Sequence, residues 1–94
     1  MQYRSEPGAP FSREEMESVL RVLLKHLENV SDPYFTQKGV EFVLQTYVLT
    51  VAERELNRRG IYIERIEGNG PLIITARVDT SKLAEPQVHE FTES

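Results

Sequence analysis

The sequence predicts an α+β fold in which two amphipathic helices are followed by a β-hairpin. Three features carry that prediction. A capping signal at Ser12 opens a run of apolar residues at helical spacing. A second helical run occupies residues 36–59, and Asn69-Gly70 lies between two stretches that alternate apolar and polar residues. At 94 residues the chain has room for one domain. Residues 1–11 read as a flexible lead-in with two prolines and a glycine, residues 12–79 as the domain, and residues 80–94 as a polar tail.

The first helix is expected over residues 12–29. Ser12 suits the N-cap, and Glu15 stands three positions on, where its carboxylate reaches back to the cap N–H. Phe11 and Met16 occupy the two positions of a hydrophobic staple. Glu14, Glu15 and Glu17 complement the positive end of the helix dipole. Met16, Val19, Leu20, Leu23, Leu24, Leu27 and Val30 form one stripe, with Arg21, Lys25 and Glu28 opposite. Val22 is the one apolar residue on the polar side.

Ser31-Asp32-Pro33 interrupts the helical pattern, because a residue before proline is pushed out of the α region. The second helix is expected over residues 36–59. Val40, Val43, Leu44, Tyr47, Val48 and Val51 make one stripe, and Phe42, Leu49 and Leu56 a second on nearly the opposite side. A helix apolar on two sides is expected between two layers. Past Val51 the first stripe continues as Arg54, Glu55 and Arg58, so the burial pattern changes near Thr50. Arg58, Arg59 and Gly60 suit a helix end.

The hairpin is expected over residues 61–79. A two-residue turn at Asn69-Gly70 pairs Glu67 with Leu72, Ile63 with Ala76 and Ile61 with Val78. One face then carries Ile61, Ile63, Leu72, Ile74, Ala76 and Val78. The other carries Tyr62, Glu64, Ile66, Ile73, Thr75 and Arg77.

Composition narrows the chemistry. Eleven basic residues against fifteen acidic ones leave a net charge of −4, which opposes binding a polyanion through overall charge. The absence of cysteine removes disulfides, thiolate nucleophiles and cysteine-ligated metals. His26 and His89 belong to no ligand pattern, so no metal is expected. The early glutamates are accounted for by capping and the dipole, and Gly68-Asn69-Gly70-Pro71 feeds a strand rather than the helix a phosphate loop needs. The serines lie in no nucleophile motif. No catalytic residue and no cofactor is therefore expected. The opening MQYRSEPGAP lacks an apolar signal core, and no apolar run is long enough to span a bilayer. A cytoplasmic protein without a membrane contact is the expectation.

The segment FTQKGVEFVLQTYVLTVAERELNRRGIYIERIEGNGPLIIT resembles, in outline, a winged helix-turn-helix domain. That resemblance implies a helix capped by Thr36 and ending near Gln45, and a second capping box of Thr50 and Glu53. A recognition helix then covers residues 51–59, and the hairpin serves as the wing. It implies DNA contacts by Arg54, Arg58 and Arg65. The sequence departs from the pattern where Tyr47, Val48 and Leu49 stand in place of a Gly or Asn turn, and in its negative net charge.

Ile66 and Ile73 on the outer sheet face have no cover within two helices and a ribbon. A homodimer or an obligate protein partner is therefore expected, joined by this face or by an open strand edge. The leading expectation is a noncatalytic interaction or regulatory protein whose contact surface gathers Tyr62, Ile66, Ile73 and Arg77. A DNA-binding regulator using Arg54, Arg58 and Arg65 is the alternative. The third reading is an enzyme whose site forms across a dimer interface.

Overall fold

The computed structural model describes residues 3–47 and 51–83. It is a small α+β fold, a five-stranded mixed sheet with three helices. In chain order these are β1 (Arg4–Ser5), α1 (Arg13–His26), β2 (Ser31–Phe35), β3 (Gly39–Leu44), α2 (Val51–Arg58), β4 (Ile61–Glu67), β5 (Leu72–Val78) and α3 (Thr80–Leu83). The sheet order is β1-β2-β3-β5-β4, parallel between β1 and β2 and antiparallel elsewhere.

Helix α1 forms as its residues dictate. Ser12 Oγ accepts from the Glu15 N–H at 3.0 Å while Glu15 Oε1 accepts from the Ser12 N–H at 2.8 Å, closing the capping box. Phe11 is buried and Met16 packs partly buried against the same core, as a staple requires. Val19, Leu20, Leu23, Leu27 and Val30 enter the core. Leu24 stays 47% exposed, and Val22 packs against the core instead. The helix stops at His26, with Leu27 extended and Asn29 left-handed at φ 64.

The expected helix over residues 36–59 is replaced by a strand, a connection and a short helix. Thr36 does not cap a helix. Its N–H donates to the Gly39 carbonyl at 2.8 Å and its hydroxyl oxygen accepts from the Gly39 N–H at 3.2 Å, so Gln37 and Lys38 form a tight turn. Val40, Phe42 and Leu44 then point inward while Glu41 and Val43 point outward, the two-residue period of a strand. Pro33, which breaks the first helix, sits fully buried at a β2 irregularity where Asp32 takes φ 54. That is a place in a sheet where proline is tolerated. The winged-helix outline fails at the same point, because β3 stands where its helix after Thr36 belongs. Helix α2 does begin at Val51, where the pattern changes, and buries Leu56. Val48, Leu49, Thr50 and its capping box, His89 and the tail past Leu83 lie outside the described residues.

The ends of the domain are also more structured than expected. Arg4–Ser5 adds an edge strand to β2, and Tyr3 and Phe11 meet the Phe35 ring edge-on at 5.5 and 5.9 Å. Glu6 accepts from the Gln37 N–H at 2.8 Å, tying the lead-in to the β2–β3 turn. Thr80–Leu83, placed with the tail by composition, forms α3, opened by Asp79, whose carboxylate accepts from the Ser81 N–H at 3.1 Å.

The hairpin keeps its expected pairs at one end only. Ile61 faces Val78 and Ile63 faces Ala76, but past Ile63 one extra residue enters β4, so that Ile66 faces Ile74 and Glu67 faces Ile73. Pro71 explains the shift. A two-residue turn at Asn69-Gly70 is closed by the N–H of residue 71, and proline has none. The loop widens to four residues, neither Asn69 nor Gly70 takes positive φ, and Gly68 does at 116°.

Strand β3 approaches β5 closely. A Cβ on Gly39 would lie 1.9 Å from the Ala76 carbonyl oxygen, whereas one on Gly70 would meet nothing within 4 Å. Gly39→Ala is therefore expected to lower the unfolding free energy in urea by about 1–3 kcal/mol or more. Gly70→Ala is expected to stay within about 0.5 kcal/mol. Equal urea midpoints for the two variants would contradict the close β3–β5 approach.

Candidate functional site

Helices α1 and α2 cover one face of the sheet. Their Val19, Leu20, Leu23 and Leu56 join Val40, Phe42, Leu44, Ile61, Ile74 and Ala76 in one core. The opposite face has no helix over it among the described elements. Residues paired across strands share a face, so the register assembles that surface directly. One row runs Arg4, Tyr34, Glu41, Thr75, Arg65, and the next runs Val43, Ile73, Glu67. A third joins Gly39, Arg77 and Tyr62.

The expected contact set is brought together only in part. Tyr62 and Arg77 are direct partners, with the guanidinium 4.7 Å above the ring centroid. Arg77 Nε also lies 3.3 Å from Glu64 Oε2. Ile73 shares this face and is 40% exposed. Ile66 does not belong there. The extra residue in β4 turns it to the helix-bearing face, opposite the buried Ile74, where it remains 37% exposed. The face gains members that sequence reasoning missed, because it placed residues 31–44 in helices or breaks. Tyr34 lies under the Arg4 guanidinium at 5.3 Å, and Val43 sits half-buried beside Ile73. The alternation Val40-Glu41-Phe42-Val43-Leu44 is the signal that could have found them.

The arginines of the DNA reading do not form one surface. Arg54 and Arg58 belong to α2 on the helix-bearing side, and Arg58 lies 3.9 Å from Glu55. Arg65 belongs to β4 on the other face, with Glu67 3.1 Å away. A sheet separates the two groups.

Among the described residues no group of three or more His, Asp or Glu side chains is arranged to hold a metal. No helix there is long and apolar enough to cross a membrane.

Unpaired polar atoms gather instead around the ends of the helices. His26 Nε2, Tyr47 Oη, Asn57 Oδ1 and Arg59 Nε are buried without a hydrogen-bond partner among the described residues. Burial pushes the Tyr47 phenol above its ordinary range, with Glu53 adding to the shift. Burial also holds the His26 imidazole below its ordinary value of 6.5, reinforced by Lys25 and Arg59 and opposed by Glu55.

That shift has a definite sign. The unfolded chain binds the His26 proton more readily than the folded one, so His26 favours folding fully only above about pH 6.5. Its contribution is lost as pH falls below that value toward the lowered folded pKa. Urea midpoints of the wild type are expected to decline between about pH 7.5 and pH 5.5 more steeply than those of His26→Gln. Parallel pH profiles would show that His26 is not perturbed.

The chain matches no protein-family model, no curated protein and no solved structure, so what this surface can do rests on its own geometry.

Proposed function

We propose that this chain is a noncatalytic interaction protein that pairs with a second copy of itself through the helix-free face of its sheet. The observation that carries the reading is the one-sidedness of the fold. Two helices cover one face, while Tyr34, Val43, Tyr62 and Ile73 stand on the other. Half-buried aromatic and aliphatic groups held in register around the exposed Ile73 are a ready contact surface.

Charge argues for a second copy rather than an unlike partner. Arg4, Arg65 and Arg77 are interspersed with Glu41, Glu64 and Glu67 on this face. A surface carrying equal numbers of both signs leaves room for opposite charges to meet across a twofold axis. A strongly basic or acidic partner has no matching field there.

The face is also a better joint than the strand edge. Edge strand β4 carries an extra residue that interrupts its ladder, together with Glu64, Arg65 and Glu67. Bulges and edge charges are the devices that discourage edge-to-edge pairing. A sheet face of this size, about 20 Å on a side by strand spacing and rise, falls toward the lower end of interface areas. A reversible dimer follows, not an obligate one.

Sedimentation velocity over a range of protein concentrations tests this. The wild type is expected to move from monomer to dimer as concentration rises. Ile73→Asp places an unpaired carboxylate in the centre of the joint and is expected to weaken association at least about tenfold. Arg54→Gln, on the other side of the molecule, should leave it unchanged. A wild type that stays monomeric at every concentration removes the proposal.

A further inference from the structure

On the helix-bearing side, three parts of the chain line a cleft of about 410 Å³ with four basic side chains. Arg21 and Lys25 come from α1, Arg59 follows α2, and Lys82 comes from α3. Ser18, Val22 and Leu83 complete the lining, and no carboxylate belongs to it. In a chain of net charge −4, four convergent cations are not a by-product of composition.

Among the neighbouring carboxylates, Glu14 lies in the adjoining hollow with Ser18 and Leu83, and Asp79 acts on Lys82, while most of the others have partners of their own. Glu15 caps α1, Glu17 lies 3.6 Å from Arg13, Glu55 lies 3.9 Å from Arg58, and Asp79 accepts from Ser81. Cations near helix carboxyl ends are favoured by the dipole, which accounts for Lys25 and Arg59. It does not account for Arg21 in the middle of α1, whereas Lys82 stands in the last turn of α3 with its ammonium on the Tyr62 hydroxyl.

The donors are available. Arg59 Nε is buried with no hydrogen-bond partner among the described residues, a costly state for a charged group. Arg21 Nη2 donates to Ser18 Oγ at 3.1 Å, which leaves its remaining N–H groups uncommitted by that bond. Lys82 Nζ donates to Tyr62 Oη at 2.6 Å, which uses one of its three donors.

We propose that this cleft binds a small phosphorylated molecule, with Arg21, Lys25, Arg59 and Lys82 holding its phosphate groups. Paired, planar guanidinium donors suit phosphate oxygens. The volume falls in the range of small-molecule sites, about 300–1,000 Å³, and exceeds what one phosphate fills. Val22 and Leu83 offer an apolar wall to the rest of the ligand.

The test is titration of the full chain with inorganic pyrophosphate at low ionic strength, followed by ¹H–¹⁵N NMR. Saturable shifts are expected at the amides of Ser18, Val22, Lys25, Arg59 and Lys82. Arg59→Gln and Arg21→Gln are each expected to weaken binding about tenfold. Arg54→Gln, the same charge change on α2 but outside the cleft lining and off the sheet face, should leave affinity unchanged. Arg21 carries the test if Arg59→Gln fails to fold, because its guanidinium is tied only to Ser18 among the described residues. The proposal is overturned if shifts do not saturate, or if Arg54→Gln weakens binding as much as the cleft variants. It is equally overturned if a DNA or RNA oligonucleotide displaces pyrophosphate and shifts amides across the sheet face, since the ligand is then a polymer.

Discussion

Gly39 lets the backbone of β3 pass against the carbonyl of Ala76, and the rest of the fold depends on that approach. Strands β3 and β5 each pair with a strand of both hairpins, and the ladder between them joins β2–β3 to β5–β4. Six pairs, from Gly39–Arg77 to Leu44–Leu72, merge the two hairpins into one sheet. Each hairpin alone would be marginal in water. Joined, they align Val40, Phe42 and Leu44 beside Ala76, Ile74 and Leu72, and this floor receives the stripe of α1 and the Leu56 of α2.

Because both helices settle on that floor, the two faces of the sheet acquire different chemistry. The helix side holds the apolar core and, at its margin, the basic cleft. The other side holds alternating charges around Tyr34, Tyr62, Val43 and Ile73. The two surfaces touch at one corner. Lys82 lines the cleft, yet its ammonium is hydrogen-bonded to the Tyr62 hydroxyl and lies 5.3 Å from the ring centroid. An anion drawing on Lys82 would compete with its hold on Tyr62.

Parts of the candidate surface could be read from the sequence, and parts could not. Tyr62 and Arg77 face each other in the observed register as in the expected one, because the hairpin pairs correctly near Ile61. Ile66 could not be placed by alternation. Its face is decided by an extra residue in β4, which accommodates a loop widened because Pro71 has no N–H to close it. The cleft was less legible still. Arg21 and Lys25 stand one turn apart on α1, a spacing visible in the sequence, but Arg59 and Lys82 join them only through tertiary packing.

Local chemistry alone determined the elements whose signals are complete within a few residues. The Ser12–Glu15 box opened α1, the change of pattern near Thr50 preceded α2, and the alternation after Ile61 made a hairpin. Tertiary structure decided residues 31–44. Val40, Val43 and Leu44 satisfy a helical stripe while Val40, Phe42 and Leu44 satisfy a strand alternation, and so short an apolar run cannot separate the two periods. Pairing with β5, whose partner residues lie 28 (Leu44 to Leu72) to 38 (Gly39 to Arg77) positions along the chain, resolves the ambiguity. Gly39 costs a helix stability but gives a strand its closest neighbour, and only the assembled sheet contains that neighbour.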